Sequence, residues 1–211
     1  MILLFKRSLR KIKKFVIPEK KIEIKEEITY EQKRAIIDSY REKFDLKILV
    51  ETGTFLGDTI FYFKDKFQEL YSIELSEELA ERAKLRFVND KNITIMQGDS
   101  AKVLNGLKDS LSKNALFWLD GHYSSEFFYN GEYIKTAKAD KNTPIEDELD
   151  ILLASEFNNV ILIDDARLFV GKSDYPTVDK IKEKVKATSK PFSVYVDTDI
   201  IHIVSNQGVL S

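Results

Sequence analysis

The sequence predicts an α/β fold, a doubly wound and mostly parallel sheet of seven strands closed by an antiparallel hairpin. Three observations carry this expectation. From Lys47 onward, short β-rich apolar runs alternate with helical patterns, and strand–helix–strand repetition builds a parallel sheet through right-handed crossovers. The last two runs, FSVYV and IIHIV, are joined only by Asp197–Thr198–Asp199, too short for a crossover, so they must pair antiparallel. Acids end successive runs at Glu51, Glu74, Asp99, Asp120 and Asp164, and a parallel sheet brings such strand ends to one crevice.

Taken in order, strands are expected at about 47–51, 70–74, 93–96, 115–119, 159–163, 192–197 and 200–205, with helices near 58–67, 76–89, 100–111, 144–156 and 176–188. Ahead of them, Thr29 and Gln32 form a capping-box pair, followed by Ile36, Tyr40 and Phe44 as one apolar stripe. That helix is expected to cover the sheet edge or a bound ligand. The segment 1–28 then stands as a basic N-terminal extension, and 29–211 as the main domain with its cover helix. A long connection, Ser124–Asn142, is expected as a ligand lid or a mobile surface loop.

Length and composition narrow the function classes. The chain has 211 residues, of which 43% are apolar, enough for one domain with a proper core. It has no cysteine, which excludes disulfides and thiolate metal sites and suits a reducing cytoplasm. Residues 1–21 carry eight Lys or Arg against Glu19 alone, although the whole chain has a net charge of −2. The remainder is therefore acidic, and nucleic acid is not an expected partner of the main domain. Phe5, Leu9, Ile12 and Val16 recur at helical spacing among the basic residues. Residues 1–17 could lie on an anionic inner-membrane surface, or pack on their own domain or a second subunit. Neither a secretory signal nor a membrane span is expected.

The densest signal is KILVETGTFLGDT, Lys47–Thr59, an apolar run that enters a glycine-containing turn and then a helix. This opens a nucleotide-binding βαβ unit. Gly53 lets the backbone turn tightly, and Gly57 is expected to admit a ligand where a Cβ would intrude. Glu74 closes the next strand, where a carboxylate accepts hydrogen bonds from a ribose diol. Asp99, in Gly98–Asp99–Ser100, can accept an adenine amino group or cap the next helix. The turn lacks the middle glycine of a pyrophosphate site and carries Glu51 and Asp58. Two like charges about 4 Å apart cost roughly 4 kcal/mol at an effective dielectric near 20, so the pair disfavours phosphate and suits the ammonium and sulfonium of S-adenosylmethionine (SAM). The turn accordingly reads as a SAM site before an NAD site.

In this order, ETGTFLGDT, IEL, GDS, LDGHYS and ILIDDAR resemble the class I SAM-dependent methyltransferases. Within them, the motifs are similar to a branch that includes macrolide-sugar O-methyltransferases and enzymes of surface-polysaccharide gene clusters. The resemblance runs from about Asp45 to Val204. It implies a Rossmann-like sheet and SAM contacts from Glu51, Gly53, Thr54, Phe55, Gly57, Asp58, Thr59, Glu74, Leu75, Asp99, Ser100 and Asp120. The chain departs from the widespread Gly-x-Gly-x-Gly form at Phe55. No Asn-Pro-Pro-Tyr segment follows the fourth strand, where amino-group methylases carry it, which favours a small acceptor.

The reacting groups are expected at the ends of the fourth and fifth strands, where Asp120 precedes His122 and Asp164 precedes Asp165. With an ordinary pKa of about 6.5, His122 suits a general base; otherwise it would cap a loop or bond Asp164. Asp120, His122 and Asp165 are the candidate catalytic residues, while Asp120, Asp164 and Asp165 are hard oxygen ligands that could hold Mg²⁺. By resemblance, the macrolide-sugar enzymes use metal in this way. His202, in an apolar strand, reads as structural. Phe127, Phe128, Tyr129 and Tyr133 could cover the acceptor, with Lys135, Lys138 and Arg167 holding a phosphate or carboxylate on it.

The expected function is methyl transfer to oxygen of a small polar acceptor, such as a sugar, a nucleotide sugar or a phosphorylated intermediate of surface-polysaccharide synthesis, in the cytoplasm. The alternatives are a cephalosporin-hydroxylase-like enzyme, by resemblance, and a SAM-binding scaffold that docks through its basic arm. A dinucleotide oxidoreductase is a weaker third.

Overall fold

The computed structural model describes residues 27–108, 110–122, 126–129, 131–137 and 141–206. Residues 1–26 of the basic segment, Tyr123, Ser124 and Lys138 lie outside the described residues, as do the side chains of Phe127, Tyr129 and Lys135.

One seven-stranded sheet organises the chain. In chain order its strands are β1 (Ile48–Thr52), β2 (Glu69–Glu74), β3 (Ile93–Gln97), β4 (Leu116–Leu119), β7 (Val160–Ile163), β8 (Phe192–Asp197) and β9 (Ile200–Ser205). Across the sheet the order is β3-β2-β1-β4-β7-β9-β8. All pairings through β7 are parallel, and β9 runs antiparallel to both β7 and β8. The expected seven strands and terminal hairpin are therefore present.

Alternation within each strand assigns the two faces. Ile48, Val50, Phe117, Leu119, Ile161 and Ile163 face one core, and Leu49, Leu116, Trp118, Val160 and Leu162 face the other. The first is covered by α4 (Ser100–Leu107), α5 (Ile145–Ala154) and α6 (Val178–Ala187), through Leu104, Leu149 and Ile181 among others. The second is covered by α1 (Tyr30–Lys43) and α2 (Asp58–Phe63), through Ile37, Tyr40, Ile60 and Phe63. Helix α3 (Glu77–Arg86) buries Leu79, Ala80 and Ala83, and Phe87 at its C-cap joins the second core. Burial of both faces explains why the central strands read as continuous apolar runs.

Three details differ from expectation. Helix α1 does start at the Thr29–Gln32 capping box, with both reciprocal bonds present. Its buried face, however, is Lys33, Ile37 and Tyr40, while Ile36 and Phe44 are only half-buried against the core. Periodicity alone could not place a lysine on that face, because its burial depends on an acid elsewhere in the chain. Secondly, the connection after β4 contains a hairpin, β5 (Glu126–Tyr129) and β6 (Glu132–Lys135). Asn130–Gly131 between two aromatic-rich runs is the signal that would have found it, and Gly131 has φ +83°. Thirdly, Phe128 and Tyr133, expected either to cover an acceptor or to pack down on the surface, are exposed, with their rings 5.4 Å apart. Among the described residues no helix is long and apolar enough to cross a membrane.

Candidate active site

The strand order reverses between β1 and β4, and there a cleft of about 310 Å³ opens at their carboxyl ends. The β1 turn forms its floor. Gly53 N–H bonds the carbonyl of Ile73 at 2.9 Å, and Asp120 N–H bonds that of Thr52 at 3.0 Å. Gly53 has φ +88°, and a Cβ there would stand 2.5 Å from the Asp120 carbonyl oxygen. Glycine is thus required by both conformation and close approach. At Gly57 the space for a Cβ is filled by the Phe87 ring, at 2.7 Å, so packing against α3, not ligand approach, accounts for that glycine.

Of the twelve residues expected to contact SAM, seven line the cleft: Gly53, Phe55, Glu74, Leu75, Asp99, Ser100 and Asp120. Glu74 is held rigidly, its Oε2 accepting the Phe55 N–H and its Oε1 the Ser76 N–H, both at 2.9 Å. Burial raises its pKa against those backbone bonds. Asp99 caps α4 through the Lys102 N–H, at 3.1 Å. Ile73, Leu75 and Leu79 give this half of the cleft an apolar wall.

Glu51, Thr54, Gly57, Asp58 and Thr59 do not line the cleft. Glu51 is buried beneath the turn, where it accepts the Ser72 hydroxyl at 2.6 Å, and Ser72 in turn lies 2.7 Å from the Thr54 hydroxyl. Asp58 is half-exposed and paired with Arg86 at 2.7 Å. The charge argument drawn from Glu51 and Asp58 therefore does not operate, because neither carboxylate reaches the ligand space. The acids that do are Glu74, Asp99, Asp120 and Asp165, with Glu27 at the rim.

Burial pushes the Glu51 carboxyl up to about 8 from an ordinary 4.5. Between those values the folded protein holds a proton that the unfolded chain releases, so this group's stabilisation is complete below 4.5 and is lost as pH rises. The loss is about 1.4 kcal/mol per pH unit within the window. Thermal melts from pH 6 to 8 should therefore show Tm falling less steeply in Glu51→Gln than in the parent; equal slopes would show that Glu51 does not titrate there.

The other half of the cleft holds the reactive groups. His122 lies between two acids, its Nδ1 3.2 Å from Asp120 Oδ1 and its Nε2 3.4 Å from Asp165 Oδ2. Burial alone would lower its pKa, but the Asp120 contact and the charges of Asp120, Asp165 and Asp164 outweigh it and raise the value. Ligand atoms of Asp120, His122 and Asp165 all lie within 4.8 Å of one another, close enough to share one cation. Asp164, expected in the metal set, is absent from this cluster. Its Oδ2 receives Lys33 Nζ at 2.6 Å, and its Oδ1 accepts the Asp165 N–H at 2.8 Å. Burial and the neighbouring Asp120 push the Asp164 carboxyl up, with the Lys33 ammonium opposing.

Arg167, expected to hold a phosphate, is already engaged. Its Nη1 bonds Asp165 Oδ1 at 2.7 Å and also Asp199, while Nη2 lies 3.4 Å from Glu27. Asp199 is fully buried and also accepts the Arg167 N–H at 2.8 Å; the sequence showed it only as part of a turn. Lys141 lines the rim and is paired with Asp147 at 2.5 Å. His202 is remote from the cleft, with its Nδ1 2.9 Å from the Tyr40 hydroxyl and its ring stacked on Tyr195.

A second buried acid escaped the sequence reading. Glu148 on α5 is 1% exposed, with Oε1 lacking a hydrogen-bond partner, and burial pushes it up to about 7. It borders a 10 Å³ cavity shared with Gly121, His122 and Asp164, the size of one water. The signal was its spacing, three residues after Ile145 and four before Leu152, on the apolar stripe of α5.

No family model and no curated protein matches this chain. Solved structures do share its fold. The O-methyltransferase TomG from Streptomyces achromogenes, in complex with SAM, superposes with a TM-score of 0.57 at 16% identity, covering 85% of this chain and 82% of that one. An O-methyltransferase from Bacillus cereus, in complex with SAH, gives 0.54 at 14% identity, over 85% and 83% of the two chains. The 23S rRNA methyltransferase ErmE gives 0.52 at 13% identity, over 88% and 72%. The chain thus has the Rossmann-like fold of class I SAM-dependent methyltransferases, with a mostly parallel seven-strand sheet and a C-terminal antiparallel pair. Because that fold serves enzymes as unlike as an O-methyltransferase of tomaymycin synthesis and a 23S rRNA methyltransferase, the site must carry the functional argument.

Proposed function

We propose that this protein is a SAM-dependent methyltransferase acting on an oxygen of a small polar acceptor. The observation that carries the reading is a single cleft with Glu74 fixed at one end and the Asp120–His122–Asp165 cluster at the other.

The residues fit SAM. Each Glu74 oxygen accepts a backbone N–H, and a carboxylate has further acceptor capacity for a ribose diol. Ile73, Leu75 and Leu79 would flank the adenine, and Asp99 and Ser100 would meet its polar edge. Bound there, SAM would supply an electrophilic methyl group on a sulfonium, with S-adenosylhomocysteine as the leaving group, and the cleft would hold an acceptor hydroxyl in line with the S–CH₃ bond.

The acceptor's proton is assigned to His122. Asp120 orients the ring by accepting its Nδ1–H, which leaves Nε2 to take the proton and share it with Asp165 Oδ2. Carboxylates at both ring nitrogens stabilise the imidazolium formed. Asp120, His122 and Asp165 would alternatively hold a divalent cation, Mg²⁺ among the candidates, supplying Lewis acidity to the acceptor hydroxyl.

Glu27, Lys33, Asn142 and Arg167 line this end of the cleft, which supports a polar acceptor rich in hydrogen-bonding groups. A sugar or nucleotide sugar, as in surface-polysaccharide synthesis, fits that chemistry. Because Arg167 is paired with acids, a neutral hydroxyl-rich ring suits the described residues better than a free phosphate.

Calorimetry with S-adenosylhomocysteine tests the cofactor half, with NAD as the control. The parent protein should bind S-adenosylhomocysteine in preference to NAD, and Glu74→Ala should weaken that binding at least about tenfold through the lost ribose bonds. Preference for NAD would overturn the assignment. Methyl transfer from labelled SAM to a panel of sugars and nucleotide sugars, without iron or oxoglutarate, then tests the reaction.

A further inference from the structure

Lys33 comes from the cover helix α1, 131 residues before its partner Asp164, and is nine-tenths buried. Its ammonium is 2.6 Å from Asp164 Oδ2 and 3.9 Å from Asp165 Oδ1. Its Oδ1 accepts the Asp165 N–H, and with Oδ2 drawn to Lys33 Asp164 neither lines the cleft nor joins the cluster of Asp120, His122 and Asp165. Arg167 occupies Asp165 Oδ1, leaving Oδ2 toward His122 Nε2. What remains open to the cleft is a mixed set of two carboxylate oxygens and one imidazole nitrogen. Had Asp164 been available in its place, three hard oxygens would have faced the ligand space.

Donor chemistry separates these two sets. Mg²⁺ demands oxygen ligands and near-octahedral geometry, whereas an imidazole nitrogen favours Fe²⁺, Co²⁺, Ni²⁺ or Zn²⁺. A fixed ammonium beside the site opposes divalent cations of equal charge to a similar degree, so the donor set decides the preference. We propose that Lys33 sets the cation preference of the Asp120–His122–Asp165 cluster: by holding Asp164 out of the ligand set, it makes this a site for a later first-row transition ion ahead of Mg²⁺. The inference deepens the reading of this cluster as the reacting site, and its test uses neither methyl donor nor acceptor.

The experiment is titration of the full chain with Co²⁺, followed by visible d–d absorption and calorimetry, then competition with Mg²⁺. The parent should bind Co²⁺ with a ligand-field spectrum that His122→Ala changes or abolishes, and a hundredfold excess of Mg²⁺ should not displace it. Lys33→Met frees Asp164 and removes the ammonium, so Mg²⁺ affinity should rise at least about tenfold; Lys33→Arg should keep the parental preference. Asp164→Asn should leave the Co²⁺ spectrum unchanged, which keeps the test decisive even where Lys33→Met fails to fold. The proposal is overturned by absence of Co²⁺ binding, by Mg²⁺ displacing Co²⁺ from the parent, by an unaltered preference in folded Lys33→Met, or by a changed spectrum in Asp164→Asn. Loss of S-adenosylhomocysteine binding without change in these spectra would instead count against the methyltransferase reading alone.

Discussion

Gly53→Ala should unfold this protein well below the parental melting temperature. The added Cβ would sit 2.5 Å from the Asp120 carbonyl oxygen and 2.9 Å from its carbon, both backbone atoms that no rotamer change can move. The residue would also be held at φ +88°, a region in which an L side chain costs about 1–2 kcal/mol. Overpacking at a rigid contact adds about 1–3 kcal/mol, giving a total of roughly 2–5 kcal/mol and a Tm lowered by about 5–20 °C for a chain of this size. Differential scanning calorimetry measures it. Gly106→Ala supplies the comparison, since nothing lies within 4 Å of its Cβ position in α4, and there alanine should stabilise by about 0.5–1 kcal/mol. A Gly53→Ala protein as stable as the parent would mean that the β1 and β4 turns do not meet this closely. Because the clash falls on Asp120, surviving Gly53→Ala protein should also lose methyl transfer.

The second large effect is expected at His122. Removing a positioned general base typically costs about 10²–10⁴-fold in rate, so His122→Ala should lower kcat within that range. Binding of S-adenosylhomocysteine should change by less than about threefold, because the contacts assigned to the cofactor lie on Glu74, Asp99 and the apolar wall. Added imidazole should restore part of the rate, a response that a purely structural role would not give. Asp165→Asn should reduce kcat by less than His122→Ala, since it removes the partner that stabilises the imidazolium and not the base itself. Steady-state kinetics with labelled SAM measures all three. A parental kcat in His122→Ala would move the proton-accepting role off this residue.

Much of this arrangement is legible in the chain. Asp120, His122, Asp164 and Asp165 each follow a short apolar strand, and a parallel sheet must deliver such residues to one edge. The capping box at Thr29 and the β8–β9 hairpin that turns at Asp197–Asp199 were likewise visible, because both depend on neighbours a few residues apart. Local signals also existed for two features that went unread, Asn130–Gly131 for the β5–β6 hairpin and the stripe position of Glu148.

Other features have no local signal. Glu51 and Asp58 read as ligand-facing acids, yet one is buried on Ser72 and the other turned to Arg86. Gly57 reads as a ligand-approach glycine, yet Phe87 fills its space. In each case the partner lies 21 to 30 residues away, and which side of a turn it occupies depends on helix packing.

By itself, then, the sequence determined the mostly parallel sheet with its closing hairpin, the crevice at the strand ends and the identity of the acids and the imidazole available there. These follow from side-chain period, chain direction and connection length, all of which are local or topological. Only the tertiary structure decided which of those acids act together. Lys33 claims Asp164, Arg167 claims one oxygen of Asp165, and His122 settles between Asp120 and Asp165. The choice turns on distances of a few ångströms between groups far apart in sequence, because at that range charge pairing is strong enough to reassign a carboxylate.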